Sequence, residues 1–168
     1  KDVDGFHPFN TGKLWINLKP YFFPCTPWGV YQIIKEYKID LSGKDVVIVG
    51  RSNIVGKPLA GIFSQKLPFA NATVTLCHSQ TKNLEEKLKQ ADCIIAALGK
   101  PHFIIGDHIK EGAVVIDVGI NRLPDTSSPK GYKVVGDVHF ESAVKKASYI
   151  TPVPGGVGAM TIAMLLEN

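Results

Sequence analysis

A short turn after an apolar run has residues suited to binding an anion. Four apolar residues, three of them valine, precede Gly50, Arg51 and Ser52, and Gly56 and Pro58 follow. The run predicts a strand buried on both faces, and the proline suits the first turn of a helix. A strand, a tight turn and a helix in this order direct backbone N–H groups and the positive end of the helix dipole at one point.

We therefore predict a phosphate- or pyrophosphate-binding turn. The spacing is Gly-x-Ser-x-x-x-Gly, and the hydroxyl of Ser52, in place of a middle glycine, could itself hold a phosphate. The alternative is a turn between strand and helix whose glycines serve only the geometry of the backbone.

The next apolar run, residues 73–77, ends without an acidic residue. His78, Ser79 and Gln80 follow it, whereas folds that take NAD usually place Asp or Glu there to bind the ribose 2′-hydroxyl. Arg51 can pair with a 2′-phosphate and Ser79 can donate to it. These residues predict NADP rather than NAD. The alternatives are a solvated loop arginine and a serine that caps a turn, and we assign His78 no proton transfer.

A second glycine-rich loop lies near the carboxyl terminus. Pro152 and Pro154 precede Gly155 and Gly156, and Gly158 follows one residue later. Prolines stiffen the approach and glycines remove side chains, so a flat ligand could lie close to this backbone. The alternative is a flexible turn that leads into a helix.

Strands and helices that alternate along the chain would position these loops. This alternation predicts an α/β fold with a doubly wound, parallel, Rossmann-like sheet, whose ligands lie beyond the carboxyl ends of the strands. The predicted strands are residues 46–49, 73–77, 93–98, 113–118 and 149–153, with a short strand or turn at 134–138. Helices are predicted from Thr26 as N-cap, after Pro58, over 84–91 with an Asn83/Glu86 capping box, near 107–110, and over 140–147 and 159–166. Residues 1–27 are predicted to be irregular, and residues 122–133 to form a surface loop.

Composition narrows the class of protein. The 168 residues carry a net charge of +4 without clustering, and 45% of them are hydrophobic. These values predict a globular protein with no nucleic-acid partner, no membrane partner and no signal peptide. Cys25, Cys77 and Cys93 are odd in number and lack a Cys-x-x-Cys spacing. We therefore expect neither a disulfide framework nor a metal site, and we expect the protein to lie in a reducing compartment.

Longer stretches resemble one family, the bifunctional methylenetetrahydrofolate dehydrogenase/methenyltetrahydrofolate cyclohydrolases. They read Lys-Asp-Val-Asp-Gly-Phe at 1–6, Pro-Cys-Thr-Pro at 24–27, Gly-Arg-Ser-Asn-Ile-Val-Gly-Lys-Pro at 50–58, Asp-Val-Gly-Ile-Asn at 117–121, Val-Gly-Asp-Val at 135–138 and Ile-Thr-Pro-Val-Pro-Gly-Gly-Val-Gly at 150–158. The resemblance implies NADP-dependent oxidation of 5,10-methylenetetrahydrofolate to 5,10-methenyltetrahydrofolate, then hydrolysis to 10-formyltetrahydrofolate. It also implies a cytoplasmic homodimer formed through the nucleotide-binding half.

The same resemblance assigns site residues. Asp4 matches the aspartate that binds the pterin ring and is the one catalytic candidate, although its residue type alone would favour a turn or cap. The nucleotide contacts would be Gly50, Arg51, Ser52, Ser79 and Ile120, and the tetrahydrofolate substrate would lie against Pro154, Gly155, Gly156, Val157 and Gly158.

Departures from the family pattern lead to further expectations. The resemblance places the family's Tyr-x-x-x-Lys motif before residue 1, and Tyr31 and Lys35, which lie in a different segment, are not taken for it. Ala159 stands where a proline is usual. We expect residues 1–40 to be a remnant of an N-terminal folate domain with an interdomain helix, 41–153 to bind NADP, and 154–168 to form the folate-side loop and the start of a returning helix. Such a chain would lack cyclohydrolase activity and have little dehydrogenase activity. One competing hypothesis is a non-catalytic dinucleotide-binding module. The other is an adenosylmethionine-dependent methyltransferase, but such enzymes normally have an acidic residue at the end of the second strand, where this chain has His78 and Ser79.

Overall fold

The computed structural model describes residues 2–168; Lys1, the first residue of the N-terminal motif, lies outside the described residues. The helices are α1 (Pro8–Trp15), α2 (Cys25–Glu36), α3 (Gly56–Phe63), α4 (Leu84–Gln90), α5 (Phe140–Ala143) and α6 (Val157–Glu167), with a 3₁₀ turn at Gly106–His108. The strands are β1 (Asp45–Val49), β2 (Thr73–Cys77), β3 (Cys93–Ala96), β4 (Val114–Asp117), β5 (Asn121–Pro124), β6 (Tyr132–Val135) and β7 (Tyr149–Ile150).

Five of the strands form one parallel sheet in the order β2-β1-β3-β4-β7. The prediction of a doubly wound α/β fold is confirmed. From β1 the chain first adds β2 as the neighbouring strand on one side of β1, and it then adds β3 as the neighbour on the other side. The direction in which strands are added therefore reverses at β1. A crevice opens at such a point beyond the carboxyl ends. Val49 is paired with Cys77 on one side and Ala96 on the other, so the loops that follow all three strands start at the same level.

Two apolar layers cover the two faces of this sheet. Ile48 of β1 packs in one cluster with Leu59 and Phe63 of α3, and Val47 packs in the other with Ile94. Successive side chains of a strand point to opposite faces, so a strand with a helical layer on each side needs an unbroken apolar run. The run before Gly50 therefore reflects burial on both faces, as predicted.

The expectation that residues 1–27 are largely irregular is wrong for α1. Pro8 occupies the first helical position, and His7 Nδ1 accepts the Phe9 N–H at 3.2 Å. A proline at this position costs no hydrogen bond, because the first N–H groups of a helix have no helical partner. Leu14 anchors the helix and is 1% exposed.

Residues 122–133 are also not wholly an irregular loop. β5 and β6 pair antiparallel, with Asn121 opposite Val135 and Pro124 opposite Tyr132. Arg122 lies over the ring of Tyr132 at 4.9 Å. This hairpin stands apart from the main sheet and has little apolar alternation, which explains why the sequence did not reveal it.

Two predicted helix caps are wrong. α2 begins at Cys25, one residue before Thr26, and the Thr26 hydroxyl instead lies 3.0 Å from that of Thr161 in α6. Asn83 precedes α4 with a φ of 55° and its side chain makes no capping hydrogen bond. The last sheet strand is also shorter than predicted, covering only Tyr149–Ile150.

Candidate functional site

The turn after β1 is shaped by glycines that admit no side chain. Gly50 has a φ of 126°, and a Cβ there would stand 2.0 Å from the Ala97 carbonyl oxygen. A Cβ on Gly56 would stand 1.9 Å from the Gly50 carbonyl oxygen. The start of α3, the turn and the residue after β3 are therefore in direct backbone contact.

Ser52 accepts hydrogen bonds from the residues that lead into α3. Its Oγ accepts the N–H of Val55 at 3.1 Å and of Gly56 at 3.4 Å, and its carbonyl oxygen accepts the N–H of Lys57 at 3.1 Å. The sequence predicts that the N–H groups of this turn face an anion, but in the structure these three donate to Ser52. The hydroxyl hydrogen of Ser52 stays available, because an oxygen that accepts can still donate its own proton.

Arg51 and Ser79 are both exposed and lie beyond the paired ends of β1 and β2. The Gly50 N–H donates to the Cys77 carbonyl oxygen at 2.9 Å, which holds the two loops side by side. His78 forms a turn, in which its N–H donates to Thr81 Oγ1 at 2.8 Å. The structure thus brings the predicted arginine and serine to the same edge of the sheet.

A recess beyond β4 brings Ile120, one of the predicted nucleotide residues, together with the predicted folate residues. A small cavity of about 80 Å³ is lined by residues 117–120, Val134 and residues 152–158. Ile120 is 67% exposed at its rim. The loop from Pro154 to Gly158 forms the opposite wall, and the Val153–Pro154 peptide is cis.

The glycines of this loop differ in their surroundings. A Cβ on Gly158 would meet no atom within 4 Å, and the same holds for Gly155, although the φ of Gly155 is 100°. A Cβ on Gly156 would stand 2.5 Å from the Pro152 carbonyl oxygen. Gly156 is therefore required by the fold, whereas the space at Gly158 is open to a ligand.

Asp4 is exposed and lies beside the first turn of α2. The Cys25 thiol contacts Asp4 Oδ1 at 3.7 Å, and burial, with the nearby Asp4 charge, raises the pKa of this thiol. The Nδ2 of Asn168 donates to the carbonyl oxygens of Val3 and Phe23, at 2.8 and 2.9 Å. The segment that carries Asp4 is thus tied to both α2 and the end of α6.

Contacts between α2 and α6 connect Asp4 with the glycine-rich loop. Thr161 lies 3.0 Å from Thr26 and donates to the Val157 carbonyl oxygen at 3.1 Å. Gly29 lets the helices approach closely, since a Cβ there would stand 3.1 Å from the Met160 Cβ. Asp4 and residues 154–158 are therefore placed by the same helix pair.

Sequence reasoning missed two buried carboxylates at this edge. Asp137 accepts the N–H groups of Leu98, Gly99 and Lys100 at 2.6 to 2.9 Å and the Nδ2 of Asn121 at 2.8 Å. It therefore ties the loop after β3 to the hairpin. The sequence feature that accompanies this site is Gly136, directly before Asp137. Only glycine fits there, because a Cβ on Gly136 would stand 1.9 Å from Asp117 Oδ2.

Asp117, the second carboxylate, ends β4. It accepts the N–H groups of Gly119, Asp137 and Val138 at 2.8 to 3.0 Å. Burial raises the pKa of Asp117, while these three hydrogen bonds oppose that effect and the nearby Asp137 charge adds to it. The two aspartates link the loops that follow β3, β4 and β6.

Cys77 and Cys93 are small residues buried in the core. Both are free thiols with 0% exposure. Burial raises the pKa of Cys77 and raises that of Cys93 to about 12. Across residues 2–168, no group of three or more His, Cys, Asp or Glu side chains could hold a metal ion, and no helix there is both long and apolar enough to cross a bilayer.

The strand order, the reversal beside β1 and the side-chain-free glycine turn define a Rossmann-like dinucleotide-binding fold. The comparisons with known proteins agree. Residues 24–168 match the family described as "Tetrahydrofolate dehydrogenase/cyclohydrolase, NAD(P)-binding domain". The chain belongs to this family, so the resemblance predicted from the sequence is confirmed.

Individual relatives are similar over the whole chain. The "Bifunctional protein FolD" of Chloroherpeton thalassium is 60% identical over 169 aligned positions, which cover 100% of this chain and 58% of that protein. The FolD crystal structure from Campylobacter jejuni is 56% identical with a TM-score of 0.89, covering 99% of this chain and 56% of that one. A Trypanosoma brucei FolD complexed with NADP cofactor and inhibitor is 41% identical with a TM-score of 0.92, again covering 99% and 56%. The chain thus spans somewhat more than half the length of the relatives it matches.

Proposed function

We propose that this chain is the cofactor-binding part, with one wall of the folate site, of an NADP-dependent methylenetetrahydrofolate dehydrogenase. The whole protein would oxidise 5,10-methylenetetrahydrofolate to 5,10-methenyltetrahydrofolate and hydrolyse that product to 10-formyltetrahydrofolate. Family membership and the names of the relatives support this proposal. The observation that carries it is the cavity in which residues 117–120 face residues 152–158.

The nucleotide end of the proposed site fits NADP. Gly50 and Gly56 keep the turn, α3 and the residue after β3 in close contact, because a Cβ at either position would strike backbone. Arg51 and Ser79 are exposed beyond adjacent strands, and the described residues place no carboxylate directly after β2. A guanidinium beside a hydroxyl suits a 2′-phosphate, which a carboxylate at the same place would repel. Ile120 would contact the nucleotide from the far side of the crevice.

The folate end would lie between Asp4 and the loop of Pro154, Gly155, Gly156, Val157 and Gly158. The carboxylate of Asp4 would accept paired hydrogen bonds from the amino-pyrimidine edge of the pterin ring. Asp4 is exposed, and the contact of its Oδ1 with the Cys25 thiol holds it beside α2. The open space at Gly158 would let the flat ring system lie against backbone.

These residues explain how the chain would assist the oxidation. When bound, NADP supplies a hydride acceptor for the carbon that lies between two nitrogen atoms of the folate. The lone pairs of those nitrogens stabilise the cation that forms, so the step needs no general base from the protein. The chain's contribution is to hold the two reactants in register, and such positioning can remove several kcal/mol of a barrier, roughly 7–11 in favourable intramolecular cases.

The hydrolytic step needs proton transfer, and we propose that no residue of this chain supplies it. Tyr31 and Lys35 have the spacing of the family's Tyr-x-x-x-Lys motif but lie on α2, where the Tyr31 hydroxyl donates to the Pro68 carbonyl oxygen at 3.0 Å. They are not substitutes for that motif. We therefore propose that residues 1–168 alone have no cyclohydrolase activity and little dehydrogenase activity. Normal hydrolysis of methenyltetrahydrofolate by these residues would reject this part of the proposal.

Binding measurements test the proposed function directly. NADP, NAD and tetrahydrofolate would be titrated against the purified protein and against Asp4→Ala, with Asp107→Ala as an exposed control. We expect NADP to bind more tightly than NAD, and Asp4→Ala to weaken folate binding at least tenfold without changing NADP binding. Tighter binding of NAD, or an equal folate loss in both variants, would contradict the assignment. Nucleotide binding without any dehydrogenase activity in the whole protein would favour a non-catalytic module.

The remaining expectations concern assembly and location. We propose a cytoplasmic homodimer that forms through the nucleotide-binding half, with no nucleic-acid or membrane partner. The family resemblance supports the dimer. Sedimentation equilibrium at several concentrations would give a mass twice that of the chain, and a monomer at micromolar concentration would contradict it.

A further inference from the structure

The two buried aspartates beside the cleft carry charge that no basic side chain offsets. Asp117 is 3% exposed and Asp137 is 0% exposed. Within residues 2–168, neither forms a salt bridge. Burying a carboxylate costs several kcal/mol unless it is paired or hydrogen-bonded, so a fold that retains two of them side by side requires strong compensation.

N–H groups provide this compensation at Asp137. Its Oδ2 accepts the N–H of Leu98 at 2.6 Å and of Gly99 at 2.9 Å, and its Oδ1 accepts the N–H of Lys100 at 2.9 Å and the Nδ2 of Asn121 at 2.8 Å. Each oxygen thus faces two donors. A protonated acid or an amide would set a hydrogen against a donor, so this environment matches the ionised carboxylate.

Asp117 places a second buried carboxyl group at the wall of the cleft. Its Oδ1 accepts the N–H of Gly119 and of Asp137 itself, and its Oδ2 accepts the N–H of Val138. It lines the cavity that also contains Ile120 and residues 152–158. The negative charge therefore lies next to the place where, under the proposed function, the nicotinamide ring and the folate meet.

We propose that Asp117 and Asp137 form an anionic pair that makes the cleft bind the oxidised, positively charged nicotinamide ring more tightly than the reduced, neutral ring. The pair consists of positioning residues, since Asp137 acts through the loops at residues 98–100 and 119–121. This inference rests on the proposed function. At an effective dielectric constant of about 20, a unit charge about 10 Å from another contributes roughly a tenfold change in affinity.

The test compares affinities of NADP⁺ and NADPH for the purified protein and three variants. Asp137→Asn removes the charge, Asp137→Glu keeps it but disturbs the geometry, and Asn121→Ala removes one donor and leaves the carboxylate. We expect Asp137→Asn to lower the preference for NADP⁺ over NADPH by about tenfold. Asp137→Glu and Asn121→Ala should weaken both nucleotides alike and leave the ratio within about twofold of wild type.

The ratio separates charge from structure, because a loosened loop weakens both redox forms together. An unchanged ratio in Asp137→Asn, or an equal shift in Asp137→Glu, would overturn the inference while leaving the proposed function intact. A wild-type protein that binds neither nucleotide would overturn both. If circular dichroism shows that Asp137→Asn does not fold, Asp117→Asn replaces it, because Oδ2 of Asp117 accepts a single N–H and an amide there loses less.

Discussion

Gly56, the first residue of α3, lies so close to Gly50 that a Cβ on Gly56 would stand 1.9 Å from the Gly50 carbonyl oxygen. The Gly50 N–H in turn donates to the Cys77 carbonyl oxygen at 2.9 Å. One glycine pair thus sets the position of the helix and of two adjacent strand ends. The shape of the proposed phosphate-binding turn depends on this backbone contact more than on any single side chain.

Gly56→Ala should therefore destabilise the protein strongly. The obstacle is backbone, which cannot rotate away, so we expect a loss of about 3 kcal/mol or more in the free energy of unfolding. Gly61→Ala in the same helix is the matched control. Its Cβ would meet the Trp15 ring at an ordinary 3.4 Å, so stability should change by less than about 1 kcal/mol. Urea unfolding of both variants checks this, and equal losses would contradict the contact.

Arg51→Ala should discriminate between the two nicotinamide nucleotides. A charge-assisted hydrogen bond to a 2′-phosphate contributes about 1.5–3 kcal/mol, so NADP affinity should fall roughly tenfold or more while NAD affinity stays nearly constant. Arg122→Ala, on the hairpin and stacked over Tyr132, should change neither affinity. Fluorescence titration with both nucleotides measures the effect. Equal losses for NADP and NAD would remove the basis for the 2′-phosphate assignment.

Gly158→Ala tests the folate wall without disturbing the fold. No atom lies within 4 Å of the added Cβ, and Gly158 is inside α6, so the free energy of unfolding should be unchanged or slightly higher. Folate affinity should fall at least threefold if the ring system lies against this backbone.

Gly156→Ala provides the contrast in the same loop. Its Cβ would stand 2.5 Å from the Pro152 carbonyl oxygen, so we expect a loss of stability as well as of binding. Isothermal titration with tetrahydrofolate, beside thermal unfolding, measures both variants. Undiminished folate binding by Gly158→Ala would show that the ligand lies elsewhere.

Asp92 makes stability depend on pH at the opposite edge of the sheet. The Lys110 ammonium, 2.7 Å away, and the Asp45 N–H hold the pKa of Asp92 below its ordinary value. Because the folded pKa lies below the unfolded one, the stabilisation is complete above the unfolded value of about 3.9 and is lost as the pH falls through the folded value.

Asp92→Asn should accordingly be less stable than wild type by about 1 kcal/mol at neutral pH, since both side chains are partly exposed. The difference should vanish in strong acid, where wild-type Asp92 is protonated as well. Urea unfolding at several pH values measures it, with Lys110→Met to isolate the contribution of the ion pair. A difference that is constant with pH would show that the charge of Asp92 plays no part.

The sequence was sufficient for the layered α/β class and for the two glycine-rich loops. Continuous apolar runs of the length of a strand, separated by segments with helical spacing, are local signals that do not depend on distant partners. Residues 73–77 form β2 as predicted, and the β1 run is buried on both faces. The family resemblance carried by residues 50–58 and 150–158 led to the family that the comparisons show.

The tertiary structure alone decided which of these residues meet. Asp137 accepts the Leu98 N–H from 39 positions away, and Thr26 reaches Thr161 across 135 positions. The hairpin also escaped prediction, because its strands bury too little apolar surface to impose a clear alternation. Periodicity along a chain reports which faces are buried, whereas the partner of a buried carboxylate depends on which distant backbone N–H groups the completed fold brings to it.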